Sequence, residues 1–298
     1  MRLPKAVKIV EVGPRDGLQN ESVHLDIATK VALIQGLADA GLQSIEAGSF
    51  VSPKWVPQMA GSDDVFKQLP PSQATYTALT PNMRGLERAI ECNVKEVAVF
   101  AAASEEFSQK NINCTIKESL NKFQALTQKA RDHSIAVRGY ISCVVGCPYE
   151  GDVDQKKVSS VAQSLLDMGC YEISLGDTIG VGKPENIESL LTETLKTIDS
   201  AKLAVHLHDT YGQAIANIKQ SLEMGISTID SSVAGLGGCP YATGASGNVA
   251  TEQVVQLLNK LGIEHPINID KLQTVSRFIR QKLGRPAFVD NDSTLCTK

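Results

Sequence analysis

Ala204-Val205-His206-Leu207-His208-Asp209 sits between an apolar approach (Leu203, Ala204, Val205) and a turn-like Asp209-Thr210-Tyr211-Gly212. Read as a strand, the run alternates faces, so His206 and His208 project the same way about 6–7 Å apart, from a rise of ~3.3 Å per residue. Two neutral imidazoles on one stiff element bind a cation at little ordering cost, and a strand that gives way to a polar loop leaves such a cation open to substrate. A half-buried strand whose histidines hydrogen-bond to their neighbours has the same pattern. The run therefore needs partners from elsewhere in the chain.

Outward from this strand the same rhythm repeats in both directions. Short β-rich runs alternate with stretches of helical period, each pair taking roughly 25–40 residues, which predicts βα units and a parallel sheet. Strands are expected at Val7–Val12, Gln43–Ala47, Ala74–Leu79, Glu96–Phe100, Ile135–Ser142, Tyr171–Leu175, Leu203–His208 and Thr228–Ser232. Helices are expected near Asp26–Ala40, Ser62–Leu69, Met83–Cys92, Ile116–Asp132, Gln155–Met168, Glu185–Ile198, Gln213–Met224 and Val249–Leu261. Thr115 with Glu118 three residues on reads as a capping box, Pro184 fits a first helical turn, and Gly41, Gly169, Gly225 and Gly262 stand where left-handed C-caps are commonly glycine. Eight units without a long linker favour an α/β fold of the closed (β/α)8 barrel type over an open doubly wound sheet. The expectation is a single domain over residues 1–298, with the barrel over about 7–262. The remaining 263–298 carry an extra C-terminal helix, Ile269–Leu283, and a tail.

Composition narrows the function classes. The 298 residues are 42% hydrophobic and 21% charged, ordinary for a globular protein, and no apolar run approaches the ~20 residues that span a bilayer. A net charge of −4 argues against a general nucleic-acid partner while leaving room for a small basic pocket. The strand-like Val7-Lys8-Ile9-Val10-Glu11-Val12 begins with no signal segment before it, which predicts a cytoplasmic location. Seven scattered cysteines are unlike a disulfide scaffold and are expected to be reduced. Cys143-Val-Val-Gly-Cys147 has the wrong spacing for a zinc ribbon, and Cys296 near the chain end is expected to be exposed.

Barrel active sites form at the carboxyl ends of the strands. There the chain is expected to deliver Arg15 and Asp16 after strand one, Glu46 from strand two, Arg138 from strand five and Ser174 and Asp177 from strand six. His206 and His208 come from strand seven, and the Gly-rich loop with Gly237, Cys239 and Asn248 follows strand eight. Asp16 and Asn248 would add two oxygens to the two histidine nitrogens, a donor set that suits a divalent cation. A guanidinium beside a metal suits developing negative charge, and a loop thiol near a cation is a candidate acid or nucleophile.

At this point the chain resembles the metal-dependent 3-hydroxy-3-methylglutaryl-CoA lyase family. The similarity runs nearly end to end, through Val10–Glu21, Ser49–Met59, Arg138–Tyr140, Gly146–Gly151, Ser174–Gly180, His206–Gln213, Ser231–Tyr241 and Gly244–Asn248. The resemblance implies cleavage of the acyl-CoA to acetyl-CoA and acetoacetate, in leucine degradation and ketone-body formation, with Mg2+ or Mn2+ and as a homodimer. It implies metal ligation by Asp16, His206, His208 and Asn248, and catalytic roles for Arg15, Asp16, Glu46, Asp177, His206 and Cys239. Substrate contacts are expected from Arg15, Gln19, Ser49, Arg138, Ser174 and Gly237, with Lys110 and Asn111 toward the CoA nucleotide. Ser22 stands where some relatives carry lysine, and the C-terminal Cys296-Thr297-Lys298 is not a peroxisomal tripeptide. Rival expectations are cleavage of a related 3-hydroxy-acyl-CoA, a condensing synthase of the isopropylmalate or homocitrate type, and a non-catalytic metal-bound scaffold.

Overall fold

The computed structural model describes residues 3–238 and 247–286, so the expectations for Cys239 and Cys296 lie outside the described residues. In chain order the strands are β1 (Lys8–Glu11), β2 (Ser44–Ser49), β3 (Thr75–Leu79), β4 (Glu96–Ala102), β5 (Ala136–Ser142), β6 (Gly146–Cys147), β7 (Gly151–Asp152), β8 (Glu172–Asp177), β9 (Leu203–Leu207) and β10 (Thr228–Ser231). β6 and β7 form a small antiparallel hairpin. The other eight close into a parallel barrel in the order β1-β2-β3-β4-β5-β8-β9-β10, with β10 returning to β1. This is the expected (β/α)8 architecture.

Period-two alternation divides the barrel residues into two sets. Ile173, Leu175, Val205, Leu207 and Ile229 join the main core, where strands pack under the surrounding helices. Their neighbours Glu172, Ser174, His206 and Asp230 are also buried, but bond to one another and to Arg138 across the interior. A strand covered on both faces reads as nearly continuous burial, as β2, β8 and β9 do.

The helix boundaries follow from local chemistry. Thr115 and Glu118 form a reciprocal capping box at the start of Ile116–Asp132, and Pro184 opens Pro184–Thr194. Gly41, Gly169, Gly225 and Gly262 all have positive φ just beyond their helices. The C-terminal helix Ile269–Lys282 lies against Ile27–Asp39, where a Cβ on Gly36 would come within 2.8 Å of Val275. Beyond short 3-10 turns, the elements that exceed the sequence expectation are the helix Glu105–Ile112 capped by Ser104, the β6–β7 hairpin and a π-helical turn at Gly13–Gly17. Among the described residues, no helix is long and apolar enough to cross a membrane.

Candidate metal centre

The π-helical turn leaves β1 and carries Arg15 and Asp16. The Val12 carbonyl accepts from both Arg15 and Gly17 amides at 3.1 Å, a tight wrap of a kind enriched at functional sites. Glu11 anchors its start, accepting from the Gly13 amide at 2.8 Å and from the Val233 amide at 2.8 Å, so one carboxylate ties this turn to the segment after β10. β9 ends at Leu207, and His208 lies one residue beyond, in an isolated antiparallel bridge with Asn248. The Asp209 amide donates to the Gly247 carbonyl at 2.6 Å and the Gly247 amide to the Gly237 carbonyl at 2.8 Å. Gly237, at φ +105°, sits in the left-handed region that favours glycine, and a Cβ there would also come within 2.8 Å of Asn248 Nδ2.

These segments bring three potential ligands together. One ligand atom from each of Asp16, His206 and His208 lies within 4.8 Å of the other two. His206 Nε2 is 3.3 Å from His208 Nε2 and 3.9 Å from Asp16 Oδ2. Asn248 stands beside them, its Nδ2 donating to Asp16 Oδ2 at 2.8 Å and to the Leu236 carbonyl at 3.2 Å. Ligation through the Asn248 oxygen would therefore need the amide to turn over. Among the described residues, His208 Nδ1 is buried without a hydrogen-bond partner. Two imidazole nitrogens facing a carboxylate at this spacing suit a divalent cation and have little else to bond.

The electrostatics agree. Burial raises the Asp16 carboxyl, but the charges of Arg15, His206 and His208 and the Asn248 bond outweigh it and bring it down to about 2. Burial, with the charge of His206, lowers His208 to about 4, a neutral ring at ordinary pH. Arg15 Nη1 meets Asp16 Oδ1 at 2.6 Å and Nε meets Glu46 Oε2 at 2.6 Å. Those carboxylates hold the guanidinium above its ordinary value despite burial, while burial lifts Glu46 against the pull of Arg15. The turn thus presents a fixed cation beside the ligand cluster.

Not every expected residue reaches this mouth. Arg138 is the third residue of β5, four positions below the strand's end at Ser142, and its fork is taken by Glu172 and Asp230. Ser174, level with Tyr140 on the neighbouring strand, is buried and donates to Asp230 Oδ2 at 2.7 Å. Ser49, the last residue of β2, is buried and accepts the Val51 amide. Asp177 ends β8, but its Oδ2 accepts the Gly182 amide at 2.8 Å, while Oδ1 has no partner among the described residues; burial raises it against the Gly182, Val181 and Gly180 amides. Gln19 is half-buried just past the π-helical turn, and Lys110 and Asn111 are exposed on Glu105–Ile112, with Lys110 Nζ 3.8 Å from the Tyr149 ring centroid.

Asp230 and Tyr140 were not singled out by sequence. Asp230 Oδ2 lies 3.3 Å from His206 Nδ1, and Tyr140 packs edge-on to the His206 ring between the Arg15 and Arg138 guanidiniums. The available signal was a lone carboxylate inside the strand Thr228-Ile229-Asp230-Ser231, since a barrel strand cannot bury an unpaired charge.

The HMGL-like family model matches residues 6–279. The chain is 57% identical over 284 residues to the mitochondrial hydroxymethylglutaryl-CoA lyase of Rattus norvegicus, spanning 95% of this chain and 87% of the rat protein. It is 57% identical over 288 residues to the 3-hydroxy-3-isohexenylglutaryl-CoA/hydroxy-methylglutaryl-CoA lyase of Pseudomonas aeruginosa, spanning 96% and 95% of the two chains. The crystal structure of hydroxymethylglutaryl-CoA lyase from Pseudomonas aeruginosa matches with a TM-score of 0.95 at 56% identity, over 97% of each chain.

Proposed function

The chain belongs to the HMGL-like family, and from that premise we infer that it is a carbon–carbon lyase cleaving 3-hydroxy-3-methylglutaryl-CoA to acetyl-CoA and acetoacetate. The observation that carries the reading is the convergence of Asp16, His206 and His208 beside an Arg15 pinned by two carboxylates.

Asp16, His206 and His208, with the Asn248 amide oxygen, would hold one divalent cation, Mg2+ or Mn2+; when bound it supplies Lewis acidity toward the substrate's tertiary hydroxyl. Arg15 offers its guanidinium to the thioester oxygen as enolate charge develops. Glu46 and Asp16 fix the fork, so little reorganisation is needed at the moment of reaction. Asp16, Glu46 and His206 are the candidate acceptors of the hydroxyl proton, and of these Glu46 keeps one oxygen, Oε1, without a partner among the described residues. Asp177 is assigned a catalytic place at the rim through Oδ1, which no described residue bonds. The Cys239 thiol is assigned delivery of a proton to the acetyl carbanion. Gln19, Ser49, Gly237, Lys110 and Asn111 are assigned to gripping the acyl-CoA.

The whole chain, 1–298, is taken as one catalytic domain that works as a homodimer, without nucleic acid or membrane. Free thiols at Cys92, Cys114, Cys143, Cys147 and Cys170 fit a reducing compartment such as the cytoplasm.

A second reading is favoured by the Pseudomonas aeruginosa relative, whose name includes a longer-chain substrate: cleavage of a related 3-hydroxy-acyl-CoA. Both are tested by assaying acetoacetate from 3-hydroxy-3-methylglutaryl-CoA alongside thioesters with longer 3-substituents. Turnover of the methyl substrate at least tenfold above the others supports the first reading. The reverse order selects the second, and no cleavage of any thioester overturns both.

A further inference from the structure

We propose that Asp230 is a positioning residue that fixes the His206 ring with its proton on Nδ1, turning the Nε2 lone pair toward the cation site, and that Arg138 and Ser174 act through Asp230. The proposal rests on the reading of Asp16, His206 and His208 as cation ligands and adds the groups that aim one of them.

Every contact of the Asp230 carboxylate is to a donor. Arg138 reaches it twice, Nη2 to Oδ1 at 2.8 Å and Nη1 to Oδ2 at 3.1 Å, and Ser174 Oγ donates to Oδ2 at 2.7 Å. A carboxylate held by a bidentate guanidinium stays ionised and offers only lone pairs. The ring nitrogen 3.3 Å from Oδ2, His206 Nδ1, must then be the donor. A neutral imidazole carries one N–H, which leaves Nε2 as the acceptor. Nε2 faces His208 Nε2 and Asp16 Oδ2 at 3.3 and 3.9 Å, where a cation would sit.

Asp230 cannot swing away, because it is one member of an alternating row. Lys8 Nζ bonds Glu172 Oε2 at 2.8 Å, Glu172 Oε1 accepts Arg138 Nε at 2.7 Å, and Arg138 bonds Asp230, which bonds His206. Each carboxylate stands between two donors that are or can be cationic, which offsets the cost of burying it. Among the described residues His208 has no such support: its Nδ1 is buried and meets no partner there. Of the two imidazoles, His206 is the one that the described residues pre-orient, and outer partners of this kind typically change metal affinity about 10–100-fold when removed.

The test uses the full-length chain stripped of metal by chelation. Long-range proton–nitrogen NMR of the histidine rings at pH 9 reads the His206 tautomer, and Mn2+ titration followed by electron paramagnetic resonance reads affinity. The proposal expects Nδ1–H at His206 in the wild type. In Asp230→Asn it expects a mixture of tautomers and Mn2+ affinity lowered about 10–100-fold, with near-UV circular dichroism unchanged. Nε2–H at His206 in the wild type overturns it, as does a folded Asp230→Asn that binds Mn2+ within twofold of wild type. If Asp230→Asn does not fold, the wild-type tautomer decides alone. A wild type that shows Nδ1–H but binds no Mn2+ refutes the cation reading and leaves the hydrogen bond itself standing, so the two failures are distinct.

Discussion

Arg15 and Glu46, 31 positions apart in the chain, meet with Nε 2.6 Å from Oε2 in a buried pair at the open end of the barrel. Asp16 holds the same guanidinium from its other side at Nη1. A lysine at position 15 keeps the charge but cannot reproduce a fork held at two points. Arg15→Lys is therefore expected to lower kcat by about 100–1,000-fold, with KM changed far less, in steady-state assays of acetoacetate release. Near-normal kcat would remove Arg15 from enolate stabilisation.

Glu11 sets a different, pH-dependent property. Its side chain is buried between Gly13, Val233 and Thr251, and burial, outweighing the bonds from Thr251, Val233 and Gly13, lifts the carboxyl from 4.5 to about 7. Between those values the unfolded chain has lost the proton that the native state keeps, so this group's contribution to stability falls as pH rises. The loss amounts to about 3 kcal/mol over the full window. Urea unfolding of wild type and Glu11→Gln from pH 4.5 to 7.5 should show the wild type losing stability relative to the variant over that range. Parallel pH curves would contradict the assignment.

Much of this architecture was legible in the sequence because a parallel barrel covered on both faces writes its strands as short apolar runs, and Gly41, Gly169, Gly225, Gly262, Pro184 and Thr115 marked the helix ends. Glu105–Ile112 escaped because eight residues with only Phe107 and Ser108 buried carry almost no period, although Ser104 marked its start. At the site, residue identity was legible but depth was not. Arg138 and His206 both lie on predicted strands, yet only register against neighbours shows that Arg138 faces Ala98 low in the wall while His206 faces Gly176 near the rim. The partnership of Asp230 with His206 joins two strands and has no local signature at all.

Cation binding should release a proton from His206. Burial pulls that ring's pKa down, but the Asp230 hydrogen bond and the charges of Asp16 and Asp230 outweigh it, leaving it above its usual 6.5. A metal ligand must shed its proton first, so Mn2+ affinity should rise by up to about tenfold per pH unit below the His206 pKa and level off above it. His208, at about 4, and Asp16, at about 2, add nothing in this range. Calorimetry at pH 6 in two buffers of different ionisation enthalpy should count close to one proton released per cation. A pH-independent affinity between 6 and 8 would contradict this.

The capping box at Thr115 offers a control far from the chemistry. Its hydroxyl accepts the Glu118 amide at 3.1 Å, and Glu118 Oε2 accepts the Thr115 amide at 2.9 Å. Thr115→Ala is expected to cost about 1 kcal/mol in unfolding free energy and to leave kcat unchanged. A larger loss with altered kcat would mean that Ile116–Asp132 reaches the site through contacts beyond its cap.

Acetoacetate release from 3-hydroxy-3-methylglutaryl-CoA, followed before chelation, in excess EDTA and after Mg2+ or Mn2+ is restored, tests the central claim most directly. The account predicts that turnover disappears with the chelator, returns with the cation, and does not return in His206→Ala. Undiminished cleavage in EDTA, or full rescue of His206→Ala by the cation, would contradict it.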